Sequence, residues 1–283
     1  MPELPEVQTV VSQLGKKIVG QTVSGVRSEW KKNVRPSLAA FVRRTKGGAV
    51  TRVRRFGKHI VIDLDNDSSI VIHLKMTGHL LWKTDENRLS PAFTEDSYNG
   101  FIRHVLSFSS GATLEFSDMR KFGWLHAMPT GEVGALPSIK SLGIDALSPS
   151  LTMKRFQEIM MSRPKRTIGE ALLDQDRIAG IGNIYRSEAL FLAGVRPDRI
   201  VASSTGEEWK RLLLVVKQVL RHAARLGGLS GGDFRDTDGR DGRFERAAYV
   251  YQRDGTPCKM CGTIIKRKKL GQRSVYFCSH CQA

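Results

Sequence analysis

Residues 50–64 read V-T-R-V-R-R-F-G-K-H-I-V-I-D-L, and residues 69–74 follow as S-I-V-I-H-L. Each run is rich in β-branched and aromatic side chains, too short for a helix, and bounded by Gly, Asn, Asp or Ser. Gly57-Lys58 stands between the first two runs and is expected to form a tight hairpin tip. Similar runs recur at 104–108 (H-V-L-S-F), 112–116 (A-T-L-E-F) and 123–128 (G-W-L-H-A-M). Many short strands at close spacing predict a sandwich or a barrel.

On the N-terminal side, Val7, Val10, Val11, Leu14 and Ile18 recur at helical spacing before Gly20, which predicts a helix packed on one face. On the C-terminal side, residues 129–150 are rich in Pro, Gly and Ser and read as a linker. The period then becomes helical. I-G-E-A-L-L-D is a short helix, and Q-D-R-I-A-G-I-G is a turn region. Asn183 is placed to cap N-I-Y-R-S-E-A-L-F-L-A, which Gly194 ends. A longer helix is expected from about Glu207 to Leu226, with Trp209, Leu212, Leu213, Val216, Leu220 and Ala223 on one face. Residues 227–243 hold little apolar content and are expected to form a mobile loop of the functional kind. No internal repeat is evident, and the class is α+β.

The 283 residues carry 45 Lys plus Arg against 28 Asp plus Glu, a formal charge of +17. Such a field favours polyanions, nucleic acid first, although a ribosome-associated protein or an anionic membrane surface would share it. From Arg27 to Lys58 there are eleven basic residues against one acid, Glu29, and a second cluster spans Lys266 to Lys269 plus Arg273. Two separated patches suit a grip on a long polyanion from two sides. No stretch is apolar and long enough to span a membrane, and the N-terminus lacks a signal-peptide core, so an intracellular location is expected.

All four cysteines lie in the last 26 residues, as Cys258-x2-Cys261, sixteen residues, then Cys278-x2-Cys281. Each Cys-x-x-Cys is a knuckle that points two thiolates at one ion, and two knuckles complete a tetrahedral sulfur site for one zinc. With no open position the metal is structural, and the segment between reads as a hairpin with a basic tip. His280 is a bystander, since four thiolates suffice.

At the other end stands M-P-E-L-P-E-V. Pro2 and Pro5 read blindly as a rigid leader, with two glutamates serving a helix N-terminus. Removal of Met1 would instead expose the secondary amine of Pro2. An α-amino group titrates near 7.7–8.0, so a useful fraction is neutral where a lysine near 10.4 is not. Attack on a sugar C1′ gives an iminium that acidifies the adjacent proton and permits phosphate elimination. Glu3 is adjacent and able to shuttle protons.

P-E-L-P-E-V, then L-L-D-Q-D-R-I-A-G-I-G-N-I-Y-R-S-E-A-L-F at 172–191, and P-C-K-M-C-G…Q-R-S-V-Y-F-C-S-H-C-Q at 257–282 together resemble the bacterial formamidopyrimidine-DNA glycosylase family across the whole chain. The resemblance implies a β-sandwich domain with an N-terminal helix (1–130), a linker (131–150), a helix–two-turns–helix domain with a lesion-covering loop (151–246), and a four-cysteine zinc finger (247–283). DNA would lie in the cleft between. By the same resemblance Pro2 is the Schiff-base nucleophile, Glu3 the general acid/base, Glu6 an orienting group, and Lys58 a contact to phosphate near the lesion. A solvated turn lysine is the plainer reading of Lys58. Met76, in H-L-K-M-T-G, and Arg120 with Phe122, in D-M-R-K-F-G, correspond to the side chains that fill the gap left by an everted base. Without the resemblance Met76 and Phe122 would be read as core. Asn183 and Tyr185 match backbone-gripping positions, with a helix cap and packing as the simpler roles. Arg273 matches the finger arginine that holds phosphates.

The pattern departs at Gln8, where an acid is frequent, at Gly169, where many relatives carry lysine, and at Lys75, where glycine or arginine is usual. The implied activity is release of oxidised purines (8-oxoguanine, formamidopyrimidines) from duplex DNA followed by abasic-site cleavage. A bacterial, cytoplasmic, nucleoid-associated monomer acting on DNA without a membrane partner is expected. The endonuclease VIII branch, which prefers oxidised pyrimidines, usually has glycine where Leu4 stands. A non-catalytic damage-binding relative would not need intact Pro2, Glu3 and Lys58.

Overall fold

The structure, a computed structural model, describes residues 1–231 and 233–283. The chain divides into two compact units, 1–140 with 224–245, and 141–223 with 246–283.

The first unit is a β-sandwich. One sheet has the order β2-β9-β5-β4-β3, from Val34–Arg35 (β2), Val50–Phe56 (β3), His59–Leu64 (β4), Ser68–His73 (β5) and Trp124–Pro129 (β9). The other has the order β1-β7-β8-β6, from Val23–Ser28 (β1), Gly78–Lys83 (β6), Ile102–Phe108 (β7) and Thr113–Asp118 (β8). Ile60, Ile62, Ile70 and Ile72 of one sheet share a core with Leu80, Leu106, Leu114 and Phe116 of the other. Helix α1 (Leu4–Lys17) adds Val7, Val10, Val11 and Leu14 to the same core, as its spacing predicts. Each such side chain contributes about 1.5–3 kcal/mol on full burial.

The five-stranded sheet is covered on its other face as well. Val61, Val71 and Met128 pack there against Val133 and Ile139. Burial on both faces explains why β4 is apolar almost throughout rather than alternating. It also involves the first part of the stretch read as a linker, 131–150. Residues 131–140 contain a 3-10 turn and helix α4 (Pro137–Lys140) that cap the sheet. Helices α2 (Leu38–Thr45) and α3 (Pro91–Thr94) complete the first 140 residues.

Residues 224–245 differ most from expectation. They group with the sandwich, and the described part is packed. Leu229 and Phe234 are 6% and 2% exposed, with Phe234 in the main core. Polar anchors make up for the sparse apolar content. Gln13 accepts from the Thr237 N–H (3.0 Å) and hydroxyl (2.9 Å) and donates to Asp236 (3.0 Å). Lys17 pairs with Asp238 at 2.6 Å, and the buried Arg235 pairs with Asp96 and Asp241 while lying over the Tyr98 ring.

The second unit contains α5 (Met153–Met161), α6 (Ile168–Ala171), α7 (Asn183–Leu192) and most of α8 (Gly206–Arg225), whose last two residues belong to the first unit. The short helix α9 (Phe244–Ala247) likewise straddles the boundary. Strands β10 (Ile144–Asp145) and β11 (Ile178–Ala179) pair in parallel, and β12 (Lys266–Leu270) and β13 (Arg273–Phe277) form the finger hairpin. A Cβ on Gly143 would sit 2.1 Å from the Arg177 carbonyl oxygen, so this approach requires glycine. The face read on α8 is the buried one, and Trp209 meets Phe156 edge-on.

Helix α7 is buried almost all round, with two charged groups as its polar supports. Arg186 donates to the carbonyls of Gly169 (3.1 Å) and Ser274 (3.0 Å). Glu188 accepts from the N–H groups of Tyr249, Val250 and Tyr251 at 2.8–2.9 Å. Burial pushes the Glu188 carboxyl up from its ordinary pKa, and these three donors act in the opposite direction. Asn183 does not cap the helix. Gly182 is the N-cap residue, and Asn183 Oδ1 instead accepts from Arg186.

Candidate active site and zinc module

Pro2, Glu3 and Glu6 are all buried, the two carboxylates at 2% and 0% exposure. A buried acid survives only where its oxygens find donors. Glu6 accepts from the Glu3 N–H at 2.8 Å, closing a capping box at the start of α1. Its other oxygen accepts from the Leu229 N–H at 2.7 Å. One carboxylate thus fastens both the N-terminus and the 224–245 segment. Gly228 is required beside it, because φ there is +81° and a Cβ would stand 2.4 Å from Glu6 Oε1.

Lys58 lies at the β3–β4 hairpin tip, as the sequence predicts, but is 9% exposed and so not a solvated turn lysine. Arg55 ties that tip to α1. Its Nε donates to Gln8 Oε1 (2.8 Å) and its Nη1 to the Gly57 carbonyl (2.9 Å). Gln8, a departure from the family pattern, therefore serves as a neutral acceptor that brings the Lys58 turn to the first turns of the helix behind Pro2. His59, His73 and Trp124 cluster on the adjacent strands, ring centroids 4.6–5.9 Å apart. Burial, reinforced by the Lys75 charge, lowers His59 to about 4 and His73 to about 2. Both imidazoles are neutral near pH 7. This cluster was missed in the sequence because alternating strand histidines look like any polar face.

Met76, Arg120 and Phe122 come together. Arg120 Nη1 lies 3.2 Å from Met76 Sδ, and its guanidinium sits 4.7 Å from the Phe122 ring centroid. Phe122 is 48% exposed and Arg120 is exposed, so the core reading fails for Phe122. Lys75 precedes them at φ +55°, a conformation that favours glycine, one of the two residues usual at that position.

The basic run 27–58 is partly neutralised. Asp63 takes Arg54 at 2.7 Å and Arg52 at 3.4 Å, and Arg27 meets Glu29 at 3.6 Å. Lys31, Lys32, Arg35, Arg43 and Lys46 are exposed on the sandwich.

In the second unit Tyr185 is 1% exposed, so its side chain is packing. Asn183 is half-buried, and Arg273 is exposed beside the basic strand β12. Gly169 is buried where a Cβ would lie 2.8 Å from the Pro197 carbonyl oxygen, so a side chain there would have to displace backbone. The sulfurs of Cys258, Cys261, Cys278 and Cys281 all lie within 4.8 Å of one another. Two of the separations are 3.9 Å and 3.5 Å. Zn–S bonds of about 2.3 Å in a tetrahedron place sulfurs roughly 3.8 Å apart, so the set fits one structural zinc. His280 is exposed and outside the set. Among the described residues no helix is long and apolar enough to cross a membrane.

Known proteins match this arrangement along the whole chain. Residues 1–125 match the formamidopyrimidine-DNA glycosylase N-terminal domain, residues 142–234 its H2TH domain, and residues 255–283 the zinc finger found in FPG and IleRS. The formamidopyrimidine-DNA glycosylase of Pelotomaculum thermopropionicum is 36% identical over 286 residues, covering 100% of this chain and 99% of its own. That of Pediococcus pentosaceus is 34% identical with the same coverage. The MutM (Fpg) protein of Thermus thermophilus superposes with a TM-score of 0.85 at 33% identity, over 99% of this chain and 98% of its own. Lactococcus lactis Fpg, in complex with DNA containing an abasic site, gives 0.87 at 27% identity over 99% of each chain. The chain belongs to the formamidopyrimidine-DNA glycosylase family.

Proposed function

We propose that the protein releases oxidised purines from duplex DNA and then cleaves the backbone, with the amine of Pro2 as nucleophile after loss of Met1. The observation that carries this is the N-terminus itself. Pro2 and Glu3 are buried, held by Glu6, and joined through Gln8 and Arg55 to the turn that carries Lys58. A leader peptide needs no such fixing; a nucleophile does.

In this reading the Pro2 nitrogen bonds to C1′ as the C1′–base bond breaks, and the base departs with the electron pair and takes up the proton that the Pro2 amine sheds. Glu3 protonates O4′ as the sugar opens, leaving an iminium on Pro2. The Glu3 carboxylate takes the C2′ proton as the 3′ phosphate leaves. Loss of the C4′ proton to water then expels the 5′ phosphate, and water hydrolyses the iminium to free Pro2 and the sugar remnant, so a one-nucleotide gap remains. Lys58 and Arg273 hold phosphates, and Asn183 and the backbone at Tyr185 lie at the start of α7, where a helix N-terminus favours anions. Met76, Arg120 and Phe122 fill the space left by the everted nucleotide. Zinc would hold the finger hairpin and supply no chemistry to the reaction. The protein would act as a cytoplasmic, nucleoid-associated monomer.

Borohydride trapping on an 8-oxoguanine duplex tests the reading. A covalent complex is expected with the wild type and not with Pro2→Glu, whose bulky second residue keeps Met1 in place, and Glu3→Gln suppresses base release. Undiminished trapping by Pro2→Glu would remove the mechanism. A thymine-glycol duplex run in parallel separates purine from pyrimidine preference.

A further inference from the structure

Met76, Arg120 and Phe122 stand on two exposed turns, yet the Arg120 and Gly123 N–H groups and the Lys121 and Gly123 carbonyls are held by side chains from beneath. Asp118, 2% exposed at the end of β8, accepts from the Arg120 N–H at 3.2 Å with one oxygen and from the Gly123 N–H at 2.8 Å with the other. Thr77, 3% exposed and next to Met76, donates its hydroxyl to Asp118 at 2.5 Å and accepts from the Arg120 N–H at 3.1 Å. On the far flank Asn33 donates to the carbonyls of Lys121 and Gly123, each at 2.7 Å. Lys121 is held at φ +57°, and its ammonium lies 4.5 Å from the Trp30 ring centroid. Glycine at 78 and 123 lets both turns close on Phe116, which a Cβ would strike at 2.5 Å and 2.3 Å.

We propose that Thr77, Asp118 and Asn33 are positioning residues for base eversion, acting by locking the Met76 turn and the Arg120–Phe122 turn into one rigid wedge. The argument rests on the proposed glycosylase function. A wedge that enters a base stack works only if it resists being pushed back, and each of these contacts opposes that displacement. The hydrogen bonds of these three side chains run to the two turns and to one another. Their effect falls on the step that removes a base from the stack. An abasic nucleotide has no base to unstack, so its cleavage depends on them much less.

Thr77→Val keeps the shape and removes the hydroxyl that joins the turns, whereas Thr77→Ser keeps the hydroxyl. Single-turnover release of 8-oxoguanine is expected to fall about 10- to 100-fold in Thr77→Val, the range expected for misplacement by about an ångström. Cleavage of an abasic duplex should stay within about threefold, since unstacking costs least there. Thr77→Ser should restore base release, and 2-aminopurine beside the lesion should report slower eversion in Thr77→Val alone. Base release at the wild-type rate, or an equal fall in both reactions with an unchanged Tm, would overturn the proposal. Should Thr77→Val fail to fold, Asn33→Ala carries the same comparison from the other flank. Wild-type trapping on abasic DNA separates the two levels. Its absence sinks the glycosylase reading and this one with it, while its presence with an unchanged ratio of the two rates sinks this one alone.

Discussion

Glu6 and Gly228 show how one residue's chemistry fixes its neighbour's identity. A fully buried carboxylate needs donors, and it has the Glu3 and Leu229 N–H groups only because residue 228 has no Cβ. Gly228→Ala adds a left-handed penalty of about 1–2 kcal/mol and a clash with Glu6 Oε1. Urea unfolding should show that loss, and base release should fall with it; an unchanged midpoint would refute the contact. Lys75 presents the same physics with the opposite sign. Its φ of +55° costs a lysine what a glycine does not pay, so Lys75→Gly should be neutral or stabilising by about 0.5–1 kcal/mol. Pro2, Glu3, Lys58, Met76, Arg120 and Phe122 were singled out through the resemblance, and the cysteine set was legible through spacing alone. Glu188, Arg186 and Asp118 were not, because a buried charge is written in the sequence like an exposed one and only its partners distinguish it.

Elements followed their periodicity where one face is buried and lost it where both are. Helix α1, the β3–β4 hairpin and α8 have one-sided patterns or a clear turn, and they appear within a few residues of expectation. Strand β6, buried along most of its length, carries no alternation to read, and β1 is interrupted by Gly25. The segment 224–245 was misjudged for a different reason. Its anchors are polar and come from α1 and Asp96, more than a hundred residues away in sequence. Gln13→Ala removes the acceptor for Thr237 and should speed tryptic cleavage at Arg240 and Arg243; unaltered cleavage would show that the Gln13 anchor is dispensable. The finger depends on its metal, since structural zinc in such modules contributes about 10–16 kcal/mol of folding free energy. Chelation should release one zinc per chain and abolish DNA binding. Retention of both hairpin structure and DNA binding after complete chelation would contradict a structural role.

At the scale of the whole molecule, protonation acts unevenly. His59, His79 and His104 are lowered to about 4 and His73 to about 2, chiefly by burial, and all four belong to the sandwich unit. The unfolded chain binds protons near pH 6.5 and the folded chain does not, so stability is complete above pH 6.5 and falls as pH drops toward 4. Each histidine contributes a slope of about 1.4 kcal/mol per pH unit across that window. In the second unit Asp198 and Glu208 are lowered to about 2, by hydrogen bonds from Arg196 and Arg199 respectively, so their stabilisation is lost only below the ordinary carboxylate range. Unfolding of the zinc-loaded protein at pH 7 and pH 5 should show the sandwich weakening, with a shallower slope for His79→Gln; stability independent of pH would contradict it. The proposed reaction places its nucleophile on the nitrogen of the buried Pro2 once Met1 is lost. It is tested most directly by digesting the borohydride-trapped complex and locating the adduct by mass spectrometry. The account predicts the DNA remnant on the nitrogen of a peptide that begins at Pro2, with Met1 gone. An adduct on Lys58 or any other lysine, or efficient trapping by a chain that still carries Met1, would contradict it.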